Sequence, residues 1–283
     1  MKYLLFLINI CFLNQPMFSQ AVPEHNGSLV IAGGNARISP EIFESFIELA
    51  GGPQARLVVV PTANGTRDFG PAYEGRVLKI FHDLGATNVE LVHTDDRQLA
   101  DSYDFALKIL NANGVWFLGG RQWRLADAYL DTATEKAFWE VLNRGGVIGG
   151  SSAGATIQGS YLVRGDTKTN TIMMGDHEEG FAFLPNSAID QHLLRRNRQF
   201  DLVEVIEAKP ELLGIGLDEG TAIVVRGSSF EVIGASYVAI YDSHVMTPET
   251  PFYLLAPGDR FDLEKRTPLR ERREYEAMEL PDE

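Results

Sequence analysis

The chain has 283 residues, of which 45% are hydrophobic and 10% aromatic, and this length is enough for one large α/β domain or two small ones. The formal net charge of −14 at pH 7 argues against a nucleic-acid-binding protein, because neutralising phosphates requires a basic surface. The same charge disfavours an anionic membrane surface as a partner, whereas it would attract a cationic substrate.

The first twenty residues carry one lysine, no acidic residue and an apolar run that is too short to span a membrane. Small or polar residues follow this run at positions 19–21. The arrangement predicts a signal peptide over residues 1–20 and a secreted or periplasmic protein, with an unusually apolar cytosolic N-terminus as the alternative. A lipoprotein anchor on Cys11 is disfavoured because the bulky Ile10 precedes it. Since Cys11 is the only cysteine, the mature chain would contain no thiol.

Short apolar runs alternate with helical patterns in the first half of the chain. The runs are SLVIAGG, ARLVVVPTA, VELVHT, GVWFLGG and GVIGGSS, and each ends in small or turn residues. Continuous apolar runs are typical of strands buried on both faces, and their alternation with helices indicates a parallel sheet covered on both sides. Such a sheet carries its functional loops at the carboxyl ends of its strands, so we expect these glycine-rich ends to share one edge.

The helical patterns between the strands have recognisable starts and stops. Three helices are predicted, over residues 40–50, 72–84 and 126–142. Pro40 is suited to open the first helix, and Gly85 and Gly145 are suited to close the other two. Together with the strands, these helices predict an α/β three-layer sandwich.

The second half of the chain changes character. Strands joined by tight turns predict a β-hairpin-rich C-terminal part, with a hairpin tip at residues 226–228. No linker or composition shift divides the chain, so we predict one domain over residues 21–264. Residues 265–283 are densely charged and predict a solvated or disordered tail, with a partner-binding helix as the alternative.

The stretch GGSSAG at residues 149–154 contains the pattern G-x-S-x-G where a predicted strand meets a helical segment. This context is required for a nucleophile elbow, a sharp turn that presents the central side chain, here Ser152. The alternatives are a glycine-rich phosphate-binding turn and a close strand–helix contact. Neither common phosphate-binding pattern is present, since no Gly-Lys-Ser/Thr follows and G-x-G-x-x-G is missing.

A nucleophilic serine requires a base, an acid that orients the base, and donors for the oxyanion. Of the six histidines, His192 is distinguished by its place at a predicted helix start, with Asp190 and Gln191 before it and three arginines after it. A guanidinium there is suited to bind a substrate carboxylate, while a solvated helix face is the alternative. For the acid, Asp218 and Glu219 follow an apolar run, with a solvent-exposed turn as the alternative.

Three motifs in this order, GGSSAGA, DQHLLRRNR and GIGLDEGTAIVV, resemble those of the cyanophycinase and dipeptidase E family of serine peptidases. VVVPTANG and FLGGRQ support the resemblance, which spans roughly residues 27–263. It implies a mostly parallel, flavodoxin-like sheet of the class I glutamine amidotransferase type. It also implies a peptidase that needs no cofactor, and it suggests a homodimer.

The resemblance carries over residue by residue. It implies that Ser152 is the nucleophile, His192 the general base and Glu219 the acid of a catalytic triad. The oxyanion would be bound, by the same resemblance, by backbone amides of the Gly119–Gly120 pair and Ala153. The substrate-binding positions that it implies are Gln122, Asp190, Gln191, Arg196 and Arg198.

Cyanophycinases degrade a polymer of aspartate whose β-carboxyls carry arginine, and they release β-aspartyl-arginine. An acid near the pocket suits the substrate guanidinium, and arginines suit the substrate carboxylates. This chain departs from the family at two substrate-contacting positions. Arg121 stands where the family's GGDQ turn has an acid, and Asp201 stands where an arginine is expected three residues after Arg198. The resemblance therefore implies cleavage of cyanophycin, with isoaspartyl or aspartyl dipeptides as the alternative.

Two other functions are less consistent with these residues. A non-catalytic binding relative is disfavoured because all the expected catalytic residue types are present. An α/β-hydrolase esterase is disfavoured because its acid precedes its histidine in the chain. The histidines and carboxylates show no metal-ligand spacing, so no metal site is predicted.

Overall fold

The structure is a computed structural model, and it describes residues 21–66 and 69–269. The predicted signal peptide, with Cys11, and most of the predicted tail lie outside the described residues. Across the described part of the chain, no helix combines the length and apolar composition needed to cross a membrane.

The described residues contain fourteen strands and eight α-helices. The strands are β1 Ser28–Ala32, β2 Leu57–Val60, β3 Val89–Leu91, β4 Gly114–Phe117, β5 Val147–Ser151, β6 Gly159–Tyr161, β7 Leu184–Gln191, β8 Leu213–Leu217, β9 Thr221–Arg226, β10 Ser229–Gly234, β11 Val238–Tyr241, β12 Tyr253–Leu255, β13 Arg260–Asp262 and β14 Thr267–Leu269. The helices are α1 Glu41–Leu49, α2 Pro71–His82, α3 Arg97–Ala100, α4 Tyr103–Leu110, α5 Gln122–Tyr129, α6 Ala133–Asn143, α7 Ala153–Thr156 and α8 Asp201–Ala208.

The first sheet has nine strands in the order β14-β13-β10-β9-β1-β5-β4-β2-β3. The five strands from β1 to β3 in this order are parallel, and β9, β10, β13 and β14 extend the sheet beyond β1 through successive antiparallel pairings. The parallel strands are the continuous apolar runs of the sequence, and except in the half-buried edge strand β3 their side chains are buried on both faces of the sheet because helices cover both. The predicted parallel sheet and α/β class are confirmed.

Successive strand residues belong to different cores, as the alternation of side chains along a strand requires. Val59 packs with Phe46 of α1 and Trp116 in one apolar cluster. Its neighbour Val58 packs with Phe138 of α6 in the other. The sheet is therefore the middle layer between α1 and α2 on one face and α4 and α6 on the other.

A second sheet of five strands has the order β12-β11-β8-β7-β6, in which β6, β7 and β8 are parallel. One face of this sheet shares a core with the first sheet, as in the packing of Ile215 and Leu217 with Ile31. The other face packs against α8 through residues such as Val205 and Tyr241. The hairpin-rich second half of the chain is thus divided between two sheets, a division that the apolar runs alone do not indicate.

The predicted helix over residues 126–142 is wrong, because the chain breaks it into α5 and α6. Asp131 between them has a left-handed backbone with φ 57°. Thr132 caps α6 by accepting a hydrogen bond from the backbone N–H of Glu135, and the Glu135 carboxylate accepts one from the backbone N–H of Asp131. This Thr-x-x-Glu capping box favours a new helix start over continuation.

The C-terminal hairpins reach further than predicted. Strands β9 and β10 are joined at Gly227 and Ser228, which agrees with the predicted hairpin tip at residues 226–228. Strand β14 pairs with β13, so the first sheet continues past the predicted domain end at residue 264.

Two glycines provide opposite tests of the packing. A Cβ at Gly149 would lie 2.4 Å from a ring carbon of Trp116 and 2.9 Å from one of Phe46, whereas a Cβ at Gly75 of α2 would meet open space. We expect Gly149→Ala to lower the free energy of unfolding by about 1–3 kcal/mol through overpacking. Gly75→Ala should raise it by about 0.5–1 kcal/mol because alanine loses less entropy in a helix. Urea denaturation of both variants measures the two changes, and equal signs would contradict the described packing.

Candidate active site

Ser152 lies in the sharp turn between β5 and α7. Its backbone has φ 57° and ψ −116°, a conformation that residues with a side chain rarely adopt. The turn is tight, since a Cβ at Gly150 would lie 2.3 Å from the carbonyl oxygen of Gly154. The glycines of the G-x-S-x-G pattern thus permit a turn that presents the Ser152 side chain.

His192 directly follows β7, so the predicted helix start at this position is wrong. Asp190 and Gln191 complete the strand because their polar side chains are bonded to arginines rather than to water. The His192 backbone has φ 57°, and its N–H donates to the carbonyl of Gly33 at 2.9 Å. Its ring lies against Gly34, where a Cβ would be 2.3 Å from the imidazole. Only glycine fits here, since Gly34 also has φ +140°.

The three side chains proposed from the sequence as a triad form one hydrogen-bonded chain. The Ser152 Oγ lies 3.0 Å from His192 Nε2, and His192 Nδ1 lies 2.8 Å from Glu219 Oε1. Because a carboxylate only accepts, Nδ1 carries the proton, and Nε2 is left free to accept from the serine hydroxyl. This arrangement is suited to remove the proton from Ser152.

Glu219 follows β8, the parallel neighbour of β7, so two adjacent strand ends of the second sheet carry the base and its acid. The second Glu219 oxygen accepts from Asn35 Nδ2 at 3.4 Å. Asp218 does not bond His192. Its carboxylate accepts from the backbone N–H groups of Leu194 and Arg195 and from the hydroxyl of Ser236. Of the two candidate acids, Glu219 is the one that bonds the imidazole. Asp218 bonds the backbone of the loop that follows His192.

Burial lowers the pKa of His192 from its usual value of 6.5, and the positive charge of Arg196 lowers this pKa further. The hydrogen bond and charge of Glu219 act in the opposite direction but do not outweigh them. The imidazole is therefore neutral at pH 7, which is the form that can accept a proton.

Backbone amides lie beside the serine. A Cβ at Gly119 would be 3.2 Å from Ser152 Cβ, so the turn after β4 contacts the elbow. Among the residues that the structure describes, the backbone N–H groups of Gly119, Gly120 and Ala153 have no carbonyl partner. Amides next to a nucleophile without internal acceptors are available to a developing negative charge.

A model of peptidase family S51 matches residues 28–233. The chain belongs to peptidase family S51. Relatives named cyanophycinase include those of Trichormus variabilis, 31% identical over 85% of this chain and 87% of that protein, and Geminocystis herdmanii, 29% identical over 85% and 95%. The chain is therefore a serine peptidase.

Two solved structures share this peptidase's fold. One is a peptidase from an acI-B1 Actinobacterium, with a TM-score of 0.64 and 22% identity over 85% of this chain and 98% of that one. The other is a putative peptidase E from Listeria monocytogenes, with a TM-score of 0.54 and 18% identity over 74% and 99%.

Four of the five predicted substrate-binding residues of this S51 peptidase are buried, and Arg196 is exposed. Gln122 donates through Nε2 to the carbonyls of Val163 and Arg164, while its Oε1 has no partner among the described residues. Arg198 donates through one nitrogen to both the backbone carbonyl and the side-chain oxygen of Gln191. These contacts fix the polar side chains before any substrate arrives.

The fifth position, Asp190, is paired with an arginine that the sequence motifs do not indicate. Arg164 follows β6 and is 3% exposed, and its Nε lies 2.9 Å from Asp190 Oδ1. Arg164 also bonds Asp201, the acid that stands where an arginine was expected. Burial favours the neutral form of Arg164, but the hydrogen bonds and charges of Asp190 and Asp201 raise its pKa overall.

Arg121, the other residue that departs from the family pattern, also has structural partners. One Arg121 nitrogen donates to the carbonyls of Asp166 and Thr169. Arg121 therefore fastens the segment that follows Arg164 to the turn beside Ser152. No cluster of three or more metal-ligating side chains occurs within residues 21–66 and 69–269.

Proposed function

We propose that this peptidase hydrolyses aspartyl peptide bonds, either the backbone bonds of cyanophycin or the β-aspartyl bonds of isoaspartyl dipeptides, with a Ser152–His192–Glu219 triad. The observation that supports the triad is the continuous hydrogen-bonded chain from Ser152 Oγ through the imidazole to Glu219. Ser152 Oγ attacks the scissile carbonyl carbon while its proton passes to His192 Nε2. Glu219 stabilises the resulting imidazolium.

The second half of the reaction uses the same groups. His192 returns the proton to the leaving amine, and a water then attacks the acyl-enzyme with His192 as base. Amides of Gly119, Gly120 and Ala153 would bind the oxyanion. Removing one oxyanion donor typically costs about 10²–10³ in kcat.

Cyanophycin is the first substrate that we propose, because the relatives named cyanophycinase cover most of this chain. β-Aspartyl dipeptides are the second. Two observations favour them: Arg121 is occupied by backbone carbonyls, and Asp190 is occupied by Arg164. Neither Arg121 nor Asp190 is therefore free to bind the carboxylates or the guanidinium groups of the polymer.

Incubating the purified mature protein with cyanophycin, β-Asp-Arg, other β-aspartyl dipeptides and α-aspartyl dipeptides tests this proposal. Mass spectrometry identifies the products. Release of β-Asp-Arg from the polymer supports the cyanophycinase assignment. Cleavage confined to free dipeptides supports the dipeptidase, and the absence of any cleavage contradicts the proposed function.

The pH dependence of kcat/KM tests the role of His192. Activity requires the neutral imidazole, so it should fall as the pH drops through the lowered pKa of His192. Arg196→Gln removes a positive charge that lowers this pKa. We therefore expect the acid limb of the profile to move to higher pH. Arg195→Gln removes a neighbouring exposed charge that has less effect on this pKa and is the matched control. An acid limb that stays in place in Arg196→Gln would argue against His192 as the titrating base.

Secretion is part of the same proposal, because residues 1–20 have the composition of a signal peptide. Expression of the full chain followed by N-terminal sequencing of the protein outside the cytoplasm tests it. We expect a new N-terminus near residues 19–21, and an intact Met1 in cytoplasmic protein would contradict secretion.

A further inference from the structure

Arg164 is a buried arginine that the proposed chemistry does not use. Its backbone has φ 55°, and its side chain turns inward from the loop between β6 and β7. The guanidinium makes a two-pronged contact with Asp190, with Nε 2.9 Å from Oδ1 and Nη2 3.2 Å from Oδ2. Nη2 also donates to Asp201 Oδ2, and Nη1 donates to the carbonyl of Asn170 at 3.1 Å.

This contact occupies both carboxylate oxygens of Asp190. The Asp190 side chain is 0% exposed, and both of its oxygens accept from Arg164. Arg198 adds a second cation, with Nη1 3.8 Å from Asp190 Oδ1. A guanidinium from a ligand cannot pair with this carboxylate while Arg164 remains in place, because the fork geometry of the site is already filled.

Both ends of Arg164 are tied to the proposed catalytic residues. Asp190 lies in β7, two residues before His192, which directly follows the strand. On the other side, the carbonyl of Arg164 accepts from Gln122, which begins α5 directly after the turn that contacts Ser152 through Gly119. Arg164 therefore contacts both segments, the one that carries His192 through its guanidinium and the one beside Ser152 through its backbone carbonyl.

The charges of the cluster are balanced as it stands. Two cations, Arg164 and Arg198, face two carboxylates, Asp190 and the partly exposed Asp201. Removing one partner of a buried ion pair is strongly unfavourable, but exchanging one guanidinium for another leaves every hydrogen bond and the net charge unchanged. The acceptor groups around Asp190 are thus suited to a guanidinium from either source.

We infer that Arg164 is a specificity-determining residue that competes, from within the protein, with a substrate guanidinium for Asp190. The inference rests on the proposed function in one respect: the competing group would be the arginine linked to a β-aspartyl carboxyl. With Arg164 in place, the enzyme favours dipeptides without a cationic side chain, which belong to the second substrate class proposed above, and loss of Arg164 relieves the discrimination against arginine.

The kinetic test compares β-Asp-Arg with β-Asp-Leu as substrates. In Arg164→Ala, we expect the ratio of kcat/KM for β-Asp-Arg to that for β-Asp-Leu to rise by about tenfold or more, the scale of discrimination that one specific contact provides. Arg56→Ala is the matched control, because Arg56 pairs with Glu90 at the amino end of β2, away from the carboxyl ends of the strands where the proposed site lies. Its ratio should equal that of the unaltered enzyme. An unchanged ratio in folded Arg164→Ala overturns the inference.

A binding test does not depend on catalysis. Methylguanidinium at millimolar concentration should raise the Tm of the Ser152→Ala/Arg164→Ala double variant and leave that of Ser152→Ala unchanged, with methylammonium as the control cation. If the double variant folds only with methylguanidinium, that rescue also supports an exchangeable guanidinium site. A double variant that methylguanidinium neither stabilises nor rescues overturns the inference. If the unaltered enzyme cleaves neither cyanophycin nor an aspartyl dipeptide, the proposed function fails, and this binding result still decides the role of Arg164.

Discussion

Replacing Ser152 with alanine is expected to reduce kcat by about 10⁴- to 10⁶-fold, the effect seen when a serine nucleophile is removed from a triad. The Ser152 hydroxyl is the only group in the hydrogen-bonded chain that can form the covalent bond to the substrate, and His192 has no proton to remove without it. The measurement is steady-state release of amino acids from the β-aspartyl substrate that the unaltered enzyme prefers.

The neighbouring Ser151→Ala is the matched control, because Ser151 is the last residue of β5 and makes no side-chain hydrogen bond to another described residue. We expect it to retain kcat within a few-fold. Ser152→Ala should also keep its Tm and still bind the substrate, since the alanine fits the same turn. A folded Ser152→Ala enzyme with kcat close to that of the unaltered protein would exclude this serine as the nucleophile.

Replacing Glu219 with glutamine is expected to reduce kcat by about 10³- to 10⁴-fold with little change in shape, as the corresponding change does in other serine triads. A glutamine amide can donate to His192 Nδ1, which favours the tautomer with the proton on Nε2. That tautomer cannot accept from Ser152, and the imidazolium also loses its negative partner. Comparing kcat with the unfolding free energy separates lost chemistry from lost structure.

Asp218 provides the contrasting case in the adjacent position. Asp218→Ala leaves the backbone N–H groups of Leu194 and Arg195 without their acceptor. We expect this change to lower the free energy of unfolding by about 1–3 kcal/mol, whereas Glu219→Gln should leave that free energy nearly unchanged. If Glu219→Gln instead keeps kcat within tenfold, the acid is not orienting the base.

The serine turn is the part of the site that sequence reasoning describes best. Its glycines, its position after an apolar strand and the resulting strained φ are all local properties, so a short stretch of sequence carries them. The parallel sheet is predictable for a related reason, because strands buried on both faces must be apolar throughout.

The surroundings of His192 were harder to predict because they depend on distant partners. Asp190 and Gln191 look like the polar start of a helix, yet they end a buried strand whose polar groups are satisfied by Arg164 and Arg198. No spacing rule connects Arg164 with Asp190, which is 26 residues further along the chain. Such a pair becomes visible only when the parallel pairing of β6 with β7 in the second sheet brings the two segments together.

Because the proposed site is divided between two sheets, we expect its activity to depend on how well the two sheets are aligned. Ser152 belongs to the end of the first sheet, while the imidazole and its acid belong to the second. Two backbone hydrogen bonds hold His192 and Glu219 in place against the loop after β1. The N–H of His192 donates to the carbonyl of Gly33, and the N–H of Gly220 donates to that of Gly34. Slippage of one layer by an ångström would break the proton path while both sheets stayed intact. Inactivation by mild denaturant should therefore precede the loss of secondary structure.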